Sequence, residues 1–238
     1  MSEAKELTRS ELVSLAKLMY QNDLYSDVIG YMKKVIKMKT PLNFEEIHIL
    51  FSSYILLKEP FVTTFNSCEG SILDKNLCEE LQSKLKAAID MISNEAIELL
   101  DSDLVKKDTS KESIAHYKCS KAVQHHQRAS VASGKDREKK VGEAMKLFKE
   151  AAKIADENLN HPAHPVGLCI ADEFSKFHYN TLLDSDEALR ITKEAYGKIQ
   201  GVLYEERGKC LDGLSEDLHV YSKQYANYLG ENIENWSR

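Results

Sequence analysis

The chain has 238 residues, and its 10 glycines and 4 prolines amount to about half the usual share of these turn-forming residues. Sandwiches, barrels and propellers need frequent turns, so this composition argues against an all-β fold. Hydrophobic residues make up 42% of the chain and charged residues 29%, which argues against disorder and allows one domain or at most two. The net charge of −6 disfavours non-specific binding to nucleic acid or to an anionic membrane surface. The composition therefore indicates a largely helical globule.

Targeting signals and metal-binding cysteine motifs are both missing from the sequence. The amino terminus MSEAKELTRSELVSLAK has no apolar core of signal-peptide length, and no later run approaches the roughly 20 apolar residues of a membrane span. We therefore expect a cytoplasmic protein. The five cysteines are widely spread and form no C-x-x-C pair, so neither a zinc site nor a disulfide framework is predicted. We expect reduced, mostly packed thiols and no metal or other cofactor.

Apolar residues recur at three- and four-residue spacing along most of the chain, which predicts a series of helices. Ser10 is the expected N-cap of the first helix, and residues 23–27 connect this helix to the second. Asn43 and Glu46 have the spacing of a capping box and open a third helix, whose pattern weakens near Pro60.

Six further helices complete the prediction. They are expected at about 76–104, 110–132, 141–156, 166–183, 186–204 and 214–228. Two segments, 65–75 and 133–140, are predicted to be loops. Because helices joined by short loops pack antiparallel, we expect an all-α fold of about nine antiparallel helices in a layered array or superhelix.

Four stretches of the chain carry a family resemblance. They are ELVSLAKLMYQNDLYSDVIGYMKKV from Glu11, LNFEE with the helix that ends near Tyr54, HPVGL with FSKFHY from His164, and SDEALRITKEAY from Ser185. In sequence, order and spacing they resemble the 14-3-3 family of dimeric, nine-helix adaptors that bind phosphoserine and phosphothreonine. The resemblance implies one domain over residues 1–238 with a concave groove. In it, about 1–105 would form the dimer contact and groove floor, and about 110–238 the groove wall.

The phosphate pocket of that family is the first place where this sequence departs from the pattern. In the family, a lysine and two arginines clamp the phosphate and a tyrosine hydrogen-bonds to it. The matching positions here are Ile55, Val62, His126 and Gln127. The resemblance therefore implies the fold without the phosphate clamp. Two cations lie near these positions in the sequence: Lys58 is one turn after Ile55, and Arg128 is two residues after His126. They would form a smaller basic site only if the alignment were shifted.

The remaining groove positions differ in the same direction. In the family, a further lysine, two leucines and two peptide-holding asparagines face the groove. The lysine corresponds to Cys119, the leucines to Asp172 and Asp217, and the asparagines to Glu173 and Tyr221. Asp217 and Tyr221, on the last helix, are aligned less directly. These replacements make the wall more acidic and would repel a phosphorylated client.

The dimer contact that the resemblance implies is easier to retain. An arginine–glutamate pair of the family corresponds to Leu24 and Ala88, and a family tyrosine corresponds to Leu81. Leu18 and Met19 remain apolar. Because apolar burial can match a desolvated ion pair, we expect a homodimer, with heterodimers also possible and with altered partner choice.

Three classes of function follow from this comparison. The first is a divergent adaptor that binds client proteins in the groove and regulates signalling, with its dependence on phosphoserine or phosphothreonine weakened or lost. The alternative is a phosphate-independent helical scaffold or a heterodimer partner of ordinary family members.

An enzyme is the third class, and the histidines give it little support. His116, His125 and His126 form no i, i+4 pair for a metal. His161 and His164 flank a proline, where capping and turn roles are expected. The sequence therefore predicts a protein that binds other proteins and is not an enzyme.

Overall fold

The computed structural model describes residues 6–68, 72, 74–102, 110–205 and 214–237, without the side chains of 201–205 and 217. Nine α-helices and no strand occur in these ranges, which confirms the all-α prediction. The helices are α1 (Arg9–Gln21), α2 (Tyr25–Lys37), α3 (Phe44–Ser67), α4 (Lys75–Leu100), α5 (Lys111–Ser130), α6 (Gly134–Asn158), α7 (Pro165–Phe177), α8 (Ser185–Glu205) and α9 (Glu216–Trp236). Helix α4 ends at Leu100, so the helix predicted over 76–104 is wrong at 101–102, and its predicted end at 104 lies outside the described residues.

The chain divides into two compact units, each with its own core. The first comprises residues 1–109 and 130–137, and the second comprises residues 110–129 and 138–238. In the first unit, α1 packs on α2, α2 on α3, and α3 on α4. In the second unit, α7, α8 and α9 pack on one another. The largest apolar side chains that are fully buried in the second unit are Phe148, Phe177, Leu168, Ile199 and Leu229.

The N-caps of α1 and α3 show where a local sequence signal is reliable. Thr8 caps α1, because its hydroxyl accepts from the Glu11 amide at 3.3 Å and the Glu11 carboxylate accepts from the Thr8 amide at 2.7 Å. The predicted Ser10 cap is wrong, since Ser10 already lies in the first turn. The predicted capping box of Asn43 and Glu46 is confirmed.

Helix α3 continues through Pro60 to Ser67, so the loop predicted from residue 65 is wrong over 65–67. A proline lacks an amide donor and removes one hydrogen bond from a helix. The hydroxyls of Thr64 and Ser67 donate to backbone carbonyls four residues earlier, at 2.8 and 2.9 Å, and α3 packs along α4. Packing on α4 therefore outweighs the local interruption at the proline.

The segment 133–140 was predicted to be a loop, and this is wrong over 134–140, which form the first turns of α6 from Gly134. Gly134 has a φ of +54°, a left-handed conformation that glycine adopts readily. Asp136 Oδ2 lies 3.2 Å from Lys86 Nζ of α4, and Lys140 is buried. The prediction was wrong because an exposed helical turn and a loop have the same polar composition.

The carboxyl-terminal helices also end differently from the prediction. Helix α7 is α-helical to Phe177, and His178–Leu182 form a π-helical turn that ends at Leu183, with a φ of +56°. Helix α9 runs to Trp236, well beyond the predicted end at 228. The Trp236 ring stacks on Tyr179 with ring centroids 4.6 Å apart. This aromatic contact is a tertiary reason for α9 to continue.

Candidate functional site

Three charged side chains form a cluster on α7 of the second unit. Lys176 Nζ lies 2.7 Å from Asp172 Oδ2 and 3.5 Å from Glu173 Oε1. Spacings of four and three residues place both acids on the same helical face as the lysine. Asp172 is 1% exposed, whereas Glu173 and Lys176 reach solvent. We call Asp172, Glu173 and Lys176 the α7 charge cluster.

Helix α9 completes the surroundings of this cluster. Asn232 Nδ2 donates to Asp172 Oδ1 at 2.9 Å, so both oxygens of the buried carboxylate have a donor. Lys176 Nζ also lies 5.7 Å from the centroid of the Tyr228 ring, a distance at which a cation and an aromatic face attract each other. The cluster is therefore held from two helices that are about sixty residues apart in the chain.

The cluster carries one negative charge in excess at neutral pH. Burial raises the pKa of Asp172 to about 6, against the opposing attraction of Lys176. Burial lowers the pKa of Lys176, but the negative charges of Glu173 and Asp172 outweigh this effect and raise it above its usual value. The pair is thus ionised at pH 7, and the ammonium is already occupied by two carboxylates.

His126, which stands where the resemblance expects an arginine, lies on α5 in the same unit. Its ring makes an edge contact with Phe177, with centroids 5.3 Å apart. Burial, with the positive charge of Lys176, lowers the pKa of His126 to about 4. The imidazole is therefore neutral at pH 7 and supplies no positive charge for a phosphate.

We expect the imidazole of His126 to titrate with a midpoint near pH 4 in the folded protein. Because this folded pKa is below the unfolded value of about 6.5, its contribution to stability is present above pH 6.5 and is lost as the pH falls toward 4. Proton NMR of the ring, assigned with His126→Gln, measures the midpoint. A midpoint at or above pH 6 would contradict this assignment of charge.

The other α5 residues singled out from the sequence for the groove, Cys119, Gln127 and Arg128, are buried or half-buried. Cys119 is buried, and a hydrogen bond with Cys169, together with burial and nearby negative charge, raises the pKa of its thiol. This thiol is therefore protonated and lies inside the unit. Gln127 is half-buried on α5, as is Arg128, the cation expected in a basic site only with a shifted alignment. Both make contacts within the protein.

The positions that the resemblance assigns to the groove floor belong to the first unit. Ile55 and Val62 are half-buried on α3, two turns apart on one face. Lys58 is 0% exposed, and its Nζ donates to Ser93 Oγ at 2.8 Å. A fully buried ammonium is not available to an anion from solvent. Lys58 therefore belongs to the core of this unit and not to an exposed basic site.

Helix α9 contains the residue that the sequence reasoning missed. Tyr221 was the predicted α9 wall residue and is half-buried about three turns before Asn232. It is Asn232 that contacts Asp172. The side chain of Asp217, also predicted here, lies outside the described residues. The sequence did contain a signal that α9 extends this far, because Trp236 lies one turn after Asn232. The Trp236 ring stacks on Tyr179 and fixes this end of α9.

Neither a metal site nor a membrane-spanning helix is found in the described ranges. No group of three or more metal-ligating side chains is close enough there to hold an ion. None of the helices described is both long and apolar enough to cross a membrane. His161 and His164 accept hydrogen bonds from the amides of Ala163 and Val166, which confirms the predicted turn and capping roles.

Comparison with known proteins gives a consistent result along the chain. A sequence model described as 14-3-3 protein matches residues 15–237. The chain is 30% identical over 244 positions to 14-3-3-like protein 2 of Caenorhabditis elegans, covering 100% of this chain and 93% of that protein. It is 29% identical over 240 positions to Protein BMH2 of Saccharomyces cerevisiae, covering 97% and 85%. It is 28% identical over 238 positions to 14-3-3 protein zeta of Xenopus laevis, covering 97% and 94%.

Proposed function

Because this chain belongs to the 14-3-3 family of non-enzymatic adaptors, we propose that it binds client proteins without requiring a phosphate on them. The observation that supports this proposal is the charge of the α7 charge cluster and of His126, where the resemblance places part of the groove wall. The α7 charge cluster has an excess negative charge, and Lys176 is engaged by Asp172 and Glu173. His126 is neutral at pH 7, since burial lowers its pKa to about 4.

A phosphoserine needs cations that this wall does not offer. It carries about −1.5 to −2 charges at pH 7, and each hydrogen bond to a charged partner contributes roughly 1.5–3 kcal/mol. Ile55 and Val62 are aliphatic and cannot form such bonds. Glu173 would add repulsion. A neutral or basic client segment avoids this repulsion, so we propose that the cytoplasmic clients of this adaptor are bound through such segments.

Phosphatase treatment of a cell lysate before affinity capture tests the proposal. We expect the immobilised full chain to retain the same clients from treated and untreated lysate. A second 14-3-3 protein that binds phosphorylated clients, tested in parallel, should lose its clients on treatment. Loss of most clients from both proteins would overturn the proposal.

We further propose a homodimer formed through the first unit. Leu18 and Leu24 are 49% and 47% exposed, although both are apolar. Met19, Leu81 and Ala88, the other positions that the resemblance assigns to the contact, also retain exposed area. Burial of such aliphatic surface in a dimer contact would contribute about 25 cal/mol per Å² to the free energy of association. Heterodimers with other family members would use the same surface.

Replacing Leu18 by glutamate should shift this homodimer toward monomer, because a charge would be buried without a partner. We expect sedimentation velocity at tens of micromolar to show a dimer for the parent chain and mainly monomer for Leu18→Glu. Val220→Glu places the same charge on an exposed apolar position of α9 and should leave the dimer intact. A parent chain that sediments as a monomer would contradict the proposed dimer.

A further inference from the structure

A cavity of about 440 Å³ lies in the second unit between the end of α6, the connection to α7, and α8. Its lining includes apolar and aromatic side chains, among them Leu159, Pro162, Phe174 and Ile191. The volume is within the roughly 300–1,000 Å³ of small-molecule sites. None of the residues of the α7 charge cluster lines it. The cavity is therefore separate from the α7 charge cluster.

Small residues on the surrounding helices explain why space remains there. The lining includes Ala152, Ala155, Gly167, Ala171 and Ala195. A methyl group built at Gly167 would lie 3.9 Å from Leu159 Cδ1, an ordinary contact distance. Residues of ordinary size at these positions would fill the cavity, because protein interiors otherwise pack closely.

The cavity lining carries two acidic and two basic side chains, and among the described residues three of these four are held in ion pairs, with Asp156 the exception. The Glu194 carboxylate lies 3.0 Å from Arg190 Nη1 and 3.2 Å from Lys198 Nζ, and Arg190 also binds Glu187. Asp156 is exposed where α6 ends. Within the part of the chain that the structure describes, no hydrogen bond or ion pair engages its carboxylate. A ligand cation would complement this charge.

The two histidines in the lining do not oppose a cation. Burial lowers the pKa of His161, and it lowers that of His164 to about 4, so both rings are neutral at pH 7. Each uses Nδ1 to accept a backbone amide hydrogen bond, which leaves the ring proton on Nε2. Together with Phe174, these rings give the cavity an aromatic lining.

We propose that this cavity binds a small aromatic amine, with the ring system against Phe174 and Ile191 and the ammonium at Asp156. The geometry supports both parts of the ligand. The apolar lining removes the ring from water, and the unpaired carboxylate at the rim selects a positive charge over a negative one. This binding is independent of how the adaptor recognises clients.

Two naphthalene probes of opposite charge test the proposal on the full chain. We expect (2-naphthylmethyl)ammonium to shift the His161 imidazole resonances saturably, and 2-naphthoate to bind several-fold more weakly. Asp156→Asn should weaken the amine by about threefold, the effect of an exposed ion pair, without weakening the naphthoate. Glu157→Gln, which neutralises the adjacent exposed acid outside the lining, should change neither.

Variants that fill the cavity provide the second readout. Ala171→Trp on α7 and Ala152→Phe on α6 start from half-buried positions, and each should abolish the saturable shift while circular dichroism stays unchanged. Absence of a saturable shift in the parent chain, or equal affinity for the two probes, would overturn the proposal. So would undiminished binding to a folded filled variant. If one variant fails to fold, the other variant and the charge comparison still decide.

Discussion

Replacing Lys176 by methionine should lower the free energy of unfolding by about 3 kcal/mol, near the lower limit for breaking a buried ion pair. The loss follows from Asp172, which is 1% exposed and keeps a second donor in Asn232 but would lose its cation. Glu173 would then repel Asp172 without compensation. We expect a loss of unfolding free energy near the lower limit because the ammonium of Lys176 is partly exposed.

Urea unfolding followed by circular dichroism measures this loss. The double variant Asp172→Asn and Lys176→Met should recover most of it, since an amide at 172 needs no cation and still accepts from Asn232. Lys153→Met removes an exposed lysine from a pair with Glu157 and should cost less than about 1 kcal/mol. A loss for Lys176→Met as small as that for Lys153→Met would show that the cluster is not a buried ionic unit.

The second large effect is a gain of phosphate dependence. The triple variant Ile55→Lys, Val62→Arg and His126→Arg places cations at the positions that the family resemblance assigns to the phosphate clamp. We expect it to bind a phosphoserine peptide at least about tenfold more tightly than the parent chain does, which corresponds to one or two charge-assisted hydrogen bonds.

A control variant separates a specific clamp from a general increase in positive charge. Met91→Lys, Leu183→Arg and Val220→Arg add the same charge at exposed apolar positions. This control should gain little affinity, and what it gains should disappear in high salt. Equal gains for the two triple variants would contradict the assignment of Ile55, Val62 and His126 to the pocket.

The sequence predicted most helices because their signals are local. The capping box at Asn43 and Glu46 depends on two residues three apart, and the structure confirms it. Tertiary contacts caused the errors. Pro60 lies within a helix that packs on α4, and the continuation of α9 is supported by Trp236 stacked on Tyr179. Neither contact is visible in a single stretch of sequence.

The candidate site was predictable only in part, for the same physical reason. The spacing of Asp172 and Lys176 on one helical face can be read from the sequence, but the burial that makes the pair consequential cannot. Asn232 reaches Asp172 from a distant helix. Lys58 was expected in a smaller basic site only with a shifted alignment, but it is buried and donates to Ser93. Residue identity thus indicated the charge of each position, and tertiary structure decided which charges are accessible.

Whether client binding depends on phosphate can be measured with one pair of affinities. A peptide from a client recovered by affinity capture is synthesised with and without phosphoserine, and fluorescence anisotropy gives Kd for the full chain. We expect the phosphate to leave Kd within about threefold or to weaken binding, since no charge-assisted bond is gained. Binding that is more than about tenfold tighter with the phosphate, equivalent to about 1.4 kcal/mol, would contradict it.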